Sequence, residues 1–218
     1  MPSVVPIVEG DGEVDAVPIL LRRLLEASLR WDIRVAHPKN AHGKGNLTTE
    51  NGLERFLRYA AKESDCGAIL VLLDADEECA KELAESLASR AAEVGLAYPV
   101  ATIAAVRHYE NWFLASLQTV VPLLGLRSLG PDPDLHFDVD NVEDESAKGW
   151  LDRHMAPGRA YKETVDQARL TACLDLSQVQ QKSRSFRRLV HAFDQLVEAM
   201  DSGTALISPA AYQSRQAP

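Results

Sequence analysis

Ala68-Ile69-Leu70-Val71-Leu72-Leu73-Asp74-Ala75-Asp76 is the stretch that decides the fold. Six consecutive apolar residues leave no polar face, so the segment reads as a strand covered on both sides, as an inner strand of a parallel sheet is. Asp74 and Asp76 close it, and two acids two apart on an extended backbone fall on the same face. On the N-terminal side, Val4-Val5-Pro6-Ile7-Val8 is another short apolar run, ended by the turn signal Glu9-Gly10-Asp11-Gly12. A helix is expected from Val14, with Val17, Leu20, Leu21, Leu24 and Leu25 on one stripe and Pro18 tolerated in its first turn. Trp31 to Ala36 alternates like a half-buried strand, His37 to Asn46 reads as a loop, and Leu53, Phe56, Leu57, Ala60 and Ala61 mark an amphipathic helix. On the C-terminal side, a helical stripe runs from Ala80 to Ala92, a fourth strand from Pro99 to Val106, and a further helix from Asn111 to Leu117. Alternation of this kind predicts an α/β fold: a mostly parallel sheet of about four strands flanked by helices.

After Leu124 the pattern breaks. The expected organisation is an α/β core over 1–124, an acidic loop or insertion over 125–146, a C-terminal helical part over 147–200 packing on the core, and a flexible tail over 201–218. Helices are expected at 160–173 and 185–200; the second buries Phe186, Leu189, Phe193, Leu196 and Met200, with Ser183 or Ser185 as N-cap.

Composition narrows the class. Of 218 residues, 46% are hydrophobic and 25% charged, which excludes collagen, coiled coil and wholesale disorder. No apolar run reaches the roughly 18 residues of a membrane helix, so no membrane partner is expected. Met1-Pro2-Ser3 lacks the basic flank of a signal peptide. Cys66, Cys79 and Cys173 are odd in number and form no CxxC pair, which argues against a disulfide framework or zinc ribbon and for a cytoplasmic setting. The net charge of −9 is uneven: 12 Lys and Arg against 18 Asp and Glu over 1–124, 1 against 7 over 125–146, and 10 against 7 over 147–218. The C-terminal third is therefore mildly basic.

Loops at the carboxyl ends of parallel strands form the ligand crevice. Three of the four expected strands lead into carboxylates there: Glu9, then Asp74 and Asp76, then Glu110. Like charges converging without a partner repel strongly at short range. A divalent cation removes that repulsion, and an all-oxygen set suits Mg²⁺ or Mn²⁺ better than zinc. Singly, each acid also fits a helix cap or first turn, the reading given to Asp11, Glu13, Glu77 and Glu78. His108, beside Glu110, reads as structural or assisting.

At these residues a resemblance becomes specific. Val8-Glu9-Gly10-Asp11-Gly12-Glu13, Leu72-Leu73-Asp74-Ala75-Asp76 and Glu110-Asn111-Trp112-Phe113-Leu114-Ala115 resemble the motifs of Toprim-like proteins. The group they resemble most is a small stand-alone one of unknown function, related to the nuclease domain of the OLD (overcoming lysogenization defect) family. Lys182-Ser183-Arg184-Ser185-Phe186-Arg187-Arg188 resembles the C-terminal feature of that group. The resemblance implies a Toprim fold, Glu9 as the glutamate that binds metal or moves a proton, Asp74 and Asp76 as metal-binding acids, and Glu110 as an additional catalytic and metal-binding acid. It also implies a lysine over the site, for which Lys162 is the candidate, and an ATPase partner in genome defence or repair. Glu77 stands where a Toprim protein has a small residue, often Gly.

Other chemistries lack their residues. Gly43-Lys44-Gly45 is no P-loop, no Gly-x-Ser-x-Gly elbow is present, and no cysteine has a neighbouring base. Trp112 and Phe113 read as a buried helix face. The expectation is thus a Mg²⁺- or Mn²⁺-dependent nuclease acting on DNA, with Lys182, Arg184, Arg187 and Arg188 gripping phosphates. The alternative is a metal-binding regulatory or protein-interaction module of the same fold that hydrolyses nothing.

Overall fold

The computed structural model describes residues 1–120, 122 and 142–209. β1 (Ser3–Val8), β4 (Cys66–Asp74) and β5 (Val100–Ala105) form the heart of a sheet whose strand order is β2-β1-β4-β5-β6, with β2 (Arg34–Val35) and β3 (Lys39–Asn40) both on β1 and β6 (Ile207–Ser208) on β5. Every pairing among these strands is parallel. The fold is α/β, with a parallel sheet flanked by helices.

The apolar run at 68–73 is the central strand, and alternation along it sorts the two cores. Ala68, Leu70 and Leu72 face α1 (Asp11–Ala27) and α10 (Arg184–Ser202). Ile69, Val71 and Leu73 face α3 (Gly52–Ala60) and α4 (Ala80–Val94). With both faces covered, no position on this strand is left for a polar side chain until Asp74.

Several expectations are corrected. The sheet has six strands rather than about four. The two extra ones, β3 and β6, are two residues long, too short to show a period. β6 also lies in the stretch expected to be a flexible tail: Ile207 and Ser208 pair with Val100 and Ala101. The remaining tail, 210–218, and most of the acidic segment, 125–141, lie outside the described residues; Val142–Asp144 form one 3₁₀ turn. α1 begins at Asp11, not Val14, so Pro18 sits two turns into the helix. Its missing N–H removes a bond to the Val14 carbonyl, a cost of about 3 kcal/mol, against which stands the burial of Pro18 with Val17, Leu20 and Leu21.

Beyond β5 follow α5 (Asn111–Ala115), α6 (Leu117–Val120), α7 (Ala147–His154), a π-helical turn (Glu163–Gln167), α8 (Ala168–Cys173), α9 (Leu176–Lys182) and α10. The short helices α7 and α9 have no counterpart among the expected ones. Trp112 and Phe113 on α5 are fully buried, as expected. α10 buries Phe186, Leu189, Phe193 and Leu196, each worth about 1.5–3 kcal/mol, and Ser183 caps it by accepting from the Phe186 N–H at 3.0 Å.

Candidate metal centre

From β1 the chain first moves to β2 on one side and later to β4 on the other. The strand order therefore reverses between β1 and β4, and a crevice opens at their carboxyl ends. Glu9 is the first residue past β1 and Asp74 the last of β4, and their strands are held in register by the Val8–Leu72 pairing. Glu9 Oε2 accepts from the Asp74 N–H at 3.1 Å, and Asp74 Oδ1 accepts from the Tyr109 N–H at 2.8 Å. Two carboxylates thus tie together the ends of β1, β4 and β5. Asp76 adopts a left-handed conformation (φ 52°), as does Arg107 (φ 56°), and the two loops join through the Asp76 N–H to the Arg107 carbonyl at 2.9 Å.

Asp74, Asp76 and His108 each bring a donor atom within 4.8 Å of the others. Asp76 Oδ1 lies 3.5 Å from His108 Nε2, and its Oδ2 lies 3.2 Å from Lys44 Nζ. Burial lowers the pKa of His108, helped by the nearby Lys148 charge, and keeps the imidazole in the neutral form that binds cations. Burial raises Glu9, and the Asp76 charge adds to it. Asp74 is pushed well above the usual carboxylate range by burial and by the Glu110 charge. Crowded acids with raised pKa values, a neutral imidazole and little water fit a divalent cation, which would replace their mutual repulsion with attraction.

A deeper layer lies behind them. Glu110 is fully buried; its Oε1 accepts from the Tyr161 hydroxyl at 3.0 Å and from Gln167 Nε2 at 3.4 Å. Its Oε2 has no hydrogen-bond partner and lies 3.8 Å from Lys148 Nζ. Lys148 also stands 3.7 Å from Asp74 Oδ2 and 2.8 Å from Glu163 Oε1. Burial pushes Glu110 up to about 7, with the Lys148 charge pulling the other way. Burial opposes the charge on Lys148, but Glu110, Glu163 and Asp74 outweigh it and hold the ammonium protonated. Glu13 behaves as a first-turn acid, accepting from the Gly10 N–H at 3.1 Å, yet its other oxygen accepts from Gln167 at 3.2 Å and joins this layer. The π turn reaches so close to α1 that a Cβ on Gly12 would collide with Gln167 Oε1 and stand 3.0 Å from Glu163 Cβ.

Of the expected residues, Glu9, Asp74 and Asp76 come together at the crevice, and Glu110 lies behind them. Lys162 does not join: its side chain is exposed and makes no ion pair among the described residues, while its backbone N–H goes to Asp166 Oδ2 at 3.0 Å. The lysine over the acids is Lys148, from α7. Arg184 Nε donates to buried Glu143 Oε2 at 3.0 Å, and Arg187 donates to the carbonyls of Gln180 and Gln181 at 2.9 Å each. Arg184 and Arg187 thus each bond within the chain through part of an exposed guanidinium, and Lys182 and Arg188 have no ion pair among the described residues. Sequence reasoning missed Lys148, which lies on the short α7, and Tyr161, Glu163 and Gln167, which fall in the stretch expected to be a helix over 160–173, the first part of which holds a π-helical turn at Glu163–Gln167.

Among the described residues no helix is long and apolar enough to cross a membrane. A family model described as "Domain of unknown function (DUF4276)" matches residues 8–194, a span that holds every residue of the crevice. No curated protein and no solved structure matches the chain.

Proposed function

We propose that this chain, which belongs to the DUF4276 family, is a metal-dependent phosphodiester hydrolase of Toprim and OLD-like type acting on nucleic acid. One observation carries the reading: Asp74, Asp76 and His108 offer donor atoms within 4.8 Å of one another, at the carboxyl ends of adjacent parallel strands. Glu9, Asp74 and Asp76 would hold Mg²⁺ or Mn²⁺ through oxygen, with the His108 imidazole as a neighbouring nitrogen donor, and the ion when bound would supply an activated water and neutralise charge on the phosphate. Lys148 places a permanent positive charge beside Asp74 and Glu110, where it stabilises negative charge developing on phosphoryl oxygens. Glu110, titrating near 7 with Oε2 unpartnered, holds or releases a proton at neutral pH. Tyr161 and Gln167 fix its other oxygen and so its orientation. The three free cysteines support a reducing cytoplasm, and an ATPase partner in genome defence follows from the same resemblance.

Plasmid nicking tests this. Wild-type protein should nick with Mg²⁺ or Mn²⁺, and both EDTA and Asp74→Asn should abolish the reaction. Nicking that survives in EDTA or in Asp74→Asn overturns the proposal. The non-catalytic alternative has its own support in Lys148, which already offsets Asp74, Glu110 and Glu163 without any ion. It is upheld if Mn²⁺ binds by calorimetry and no nucleic acid is cut.

A further inference from the structure

α3 turns Leu53, Leu57 and Ala60 into the core and leaves Arg55, Arg58 and Tyr59, with Lys62 just past its end, on the outside. These positions are i, i+3, i+4 and i+7, a single helical face. With Phe56 they line an open groove of about 460 Å³. The chain carries a net charge of −9, and most of its arginines and lysines elsewhere are engaged: Arg30, Arg34, Arg90, Arg107, Arg159 and Arg184 each reach a carboxylate. Arg55, Arg58 and Lys62 form no ion pair among the described residues. Two neighbouring acids are already held, Glu54 by Arg90 at 2.7 Å and Glu63 by Lys39. Three cations without an ion pair, within two turns of an acidic protein, are a surface for a polyanion.

Two rings sit among these cations. Tyr59 is 54% exposed, with Lys39 Nζ 4.7 Å from its ring centroid, and the Arg55 guanidinium lies 5.2 Å from the ring of Phe56. Phe56 is partly buried and Tyr59 is the exposed ring; an exposed ring set among cations suits unpaired bases and their phosphates, whereas a duplex keeps its bases stacked inside. The strip is also continuous with the crevice. Lys39 pairs in register with Ile7 and Asn40 with Val8, the residue before Glu9, while Lys44 joins the start of α2 (Gly45–Thr48) to Asp76.

We infer that the exposed face of α3 is a docking strip for single-stranded nucleic acid, with Arg55, Arg58 and Lys62 on phosphates and Tyr59 stacking a base. The inference deepens the hydrolase reading and rests on it for what happens after binding, not for binding itself. It also moves the phosphate contacts away from the 182–188 segment.

Anisotropy of a labelled oligothymidylate in EDTA, over a series of KCl concentrations, tests it without any metal. Wild-type affinity should fall with salt. The Arg55→Ala, Arg58→Ala, Lys62→Ala triple variant should lower the log–log slope by about 2, at roughly 0.7 per phosphate on a single strand. Tyr59→Ala should weaken binding about tenfold and Tyr59→Phe leave it nearly unchanged, since the ring supplies the stacking. All these positions are exposed, and Arg58→Glu serves as a second charge variant. An unchanged slope in the triple variant, equal binding by Tyr59→Ala, or wild-type binding to phosphatidylserine vesicles but not to the oligonucleotide overturns the strip. Metal-dependent nicking with unaltered binding by the variants overturns the strip alone. Oligonucleotide binding through α3 with no nicking overturns the hydrolase reading alone.

Discussion

Glu110 shows how much one side chain takes from its surroundings. On the sequence it is an acid at the start of a helix; in the fold it has no water, a tyrosine hydroxyl on one oxygen and a lysine 3.8 Å from the other. Its pKa rises from an ordinary 4.5 to about 7. A carboxyl raised in this way binds its proton more tightly folded than unfolded, so stability falls as pH rises across the window between those values. The ionisation penalty is absent below about 4.5 and complete above about 7, where it is worth about 3 kcal/mol. Glu110→Gln should therefore raise the melting temperature of the EDTA-treated protein at pH 8 and leave it nearly unchanged at pH 4.5. The same difference between variant and wild type at both pH values would show that burial of the charge is not the cause.

At the scale of elements, the basic segment at the start of α10 has a structural task. Buried Glu143 accepts from the Ser185 N–H and from the hydroxyls of Ser183 and Ser185, and it pairs with Arg184. Despite its burial, those bonds hold its pKa below the usual value. Ser185 also accepts from the indole N–H of Trp112 on α5, at 3.1 Å, and Asn111 donates to the carbonyls of Val142 and Glu145 at 2.7 and 2.9 Å. The helix that starts beside Glu110, the turn that leads toward Lys148 and the start of α10 are thus tied into one unit. Glu143→Ala would leave several buried donors without an acceptor, and we expect it to destabilise the protein by about 2–4 kcal/mol in urea. Glu143→Gln keeps an acceptor and should cost less. Equal losses from the two would mean that the carboxylate oxygens matter less than the volume they fill.

For the whole molecule, the sheet gathers the acids and a bound ion should return stability to all of it. At a hundredfold excess over its dissociation constant, Mn²⁺ should stabilise the fold by about 2.7 kcal/mol, a rise of about 5–10 °C in melting temperature for a chain of this size. Asp74→Asn should show a much smaller rise, and an equal one would remove Asp74 from the ligand set. The layout of this centre follows from features that are local in the chain. The apolar run at 68–73 requires a strand covered on both faces, the alternation around it requires a parallel sheet, and residues at strand ends must then meet at its carboxyl edge, where the Glu9 carboxylate accepts from the Asp74 N–H at 3.1 Å. The lysine was not legible in that way. Lys148 lies on a short helix with no expected counterpart and Lys162 near the start of the helix expected over 160–173, and no spacing tells which of them faces the acids. The choice is made by packing: the π turn presses against α1 at Gly12 and buries Asp166 and Gln167, and Glu163 reaches Lys148 across the crevice while Lys162 is left outside. The strands β3 and β6 were hidden for a related reason, since two residues carry no period and pair only because β1 and β5 already stand there. Hydrophobic periodicity is written residue by residue along the chain, so the sequence alone determined the sheet and the meeting of its acids. Contacts between segments far apart in the chain depend on how whole elements pack, and only the tertiary structure decided which lysine, which tyrosine and which glutamine complete the site.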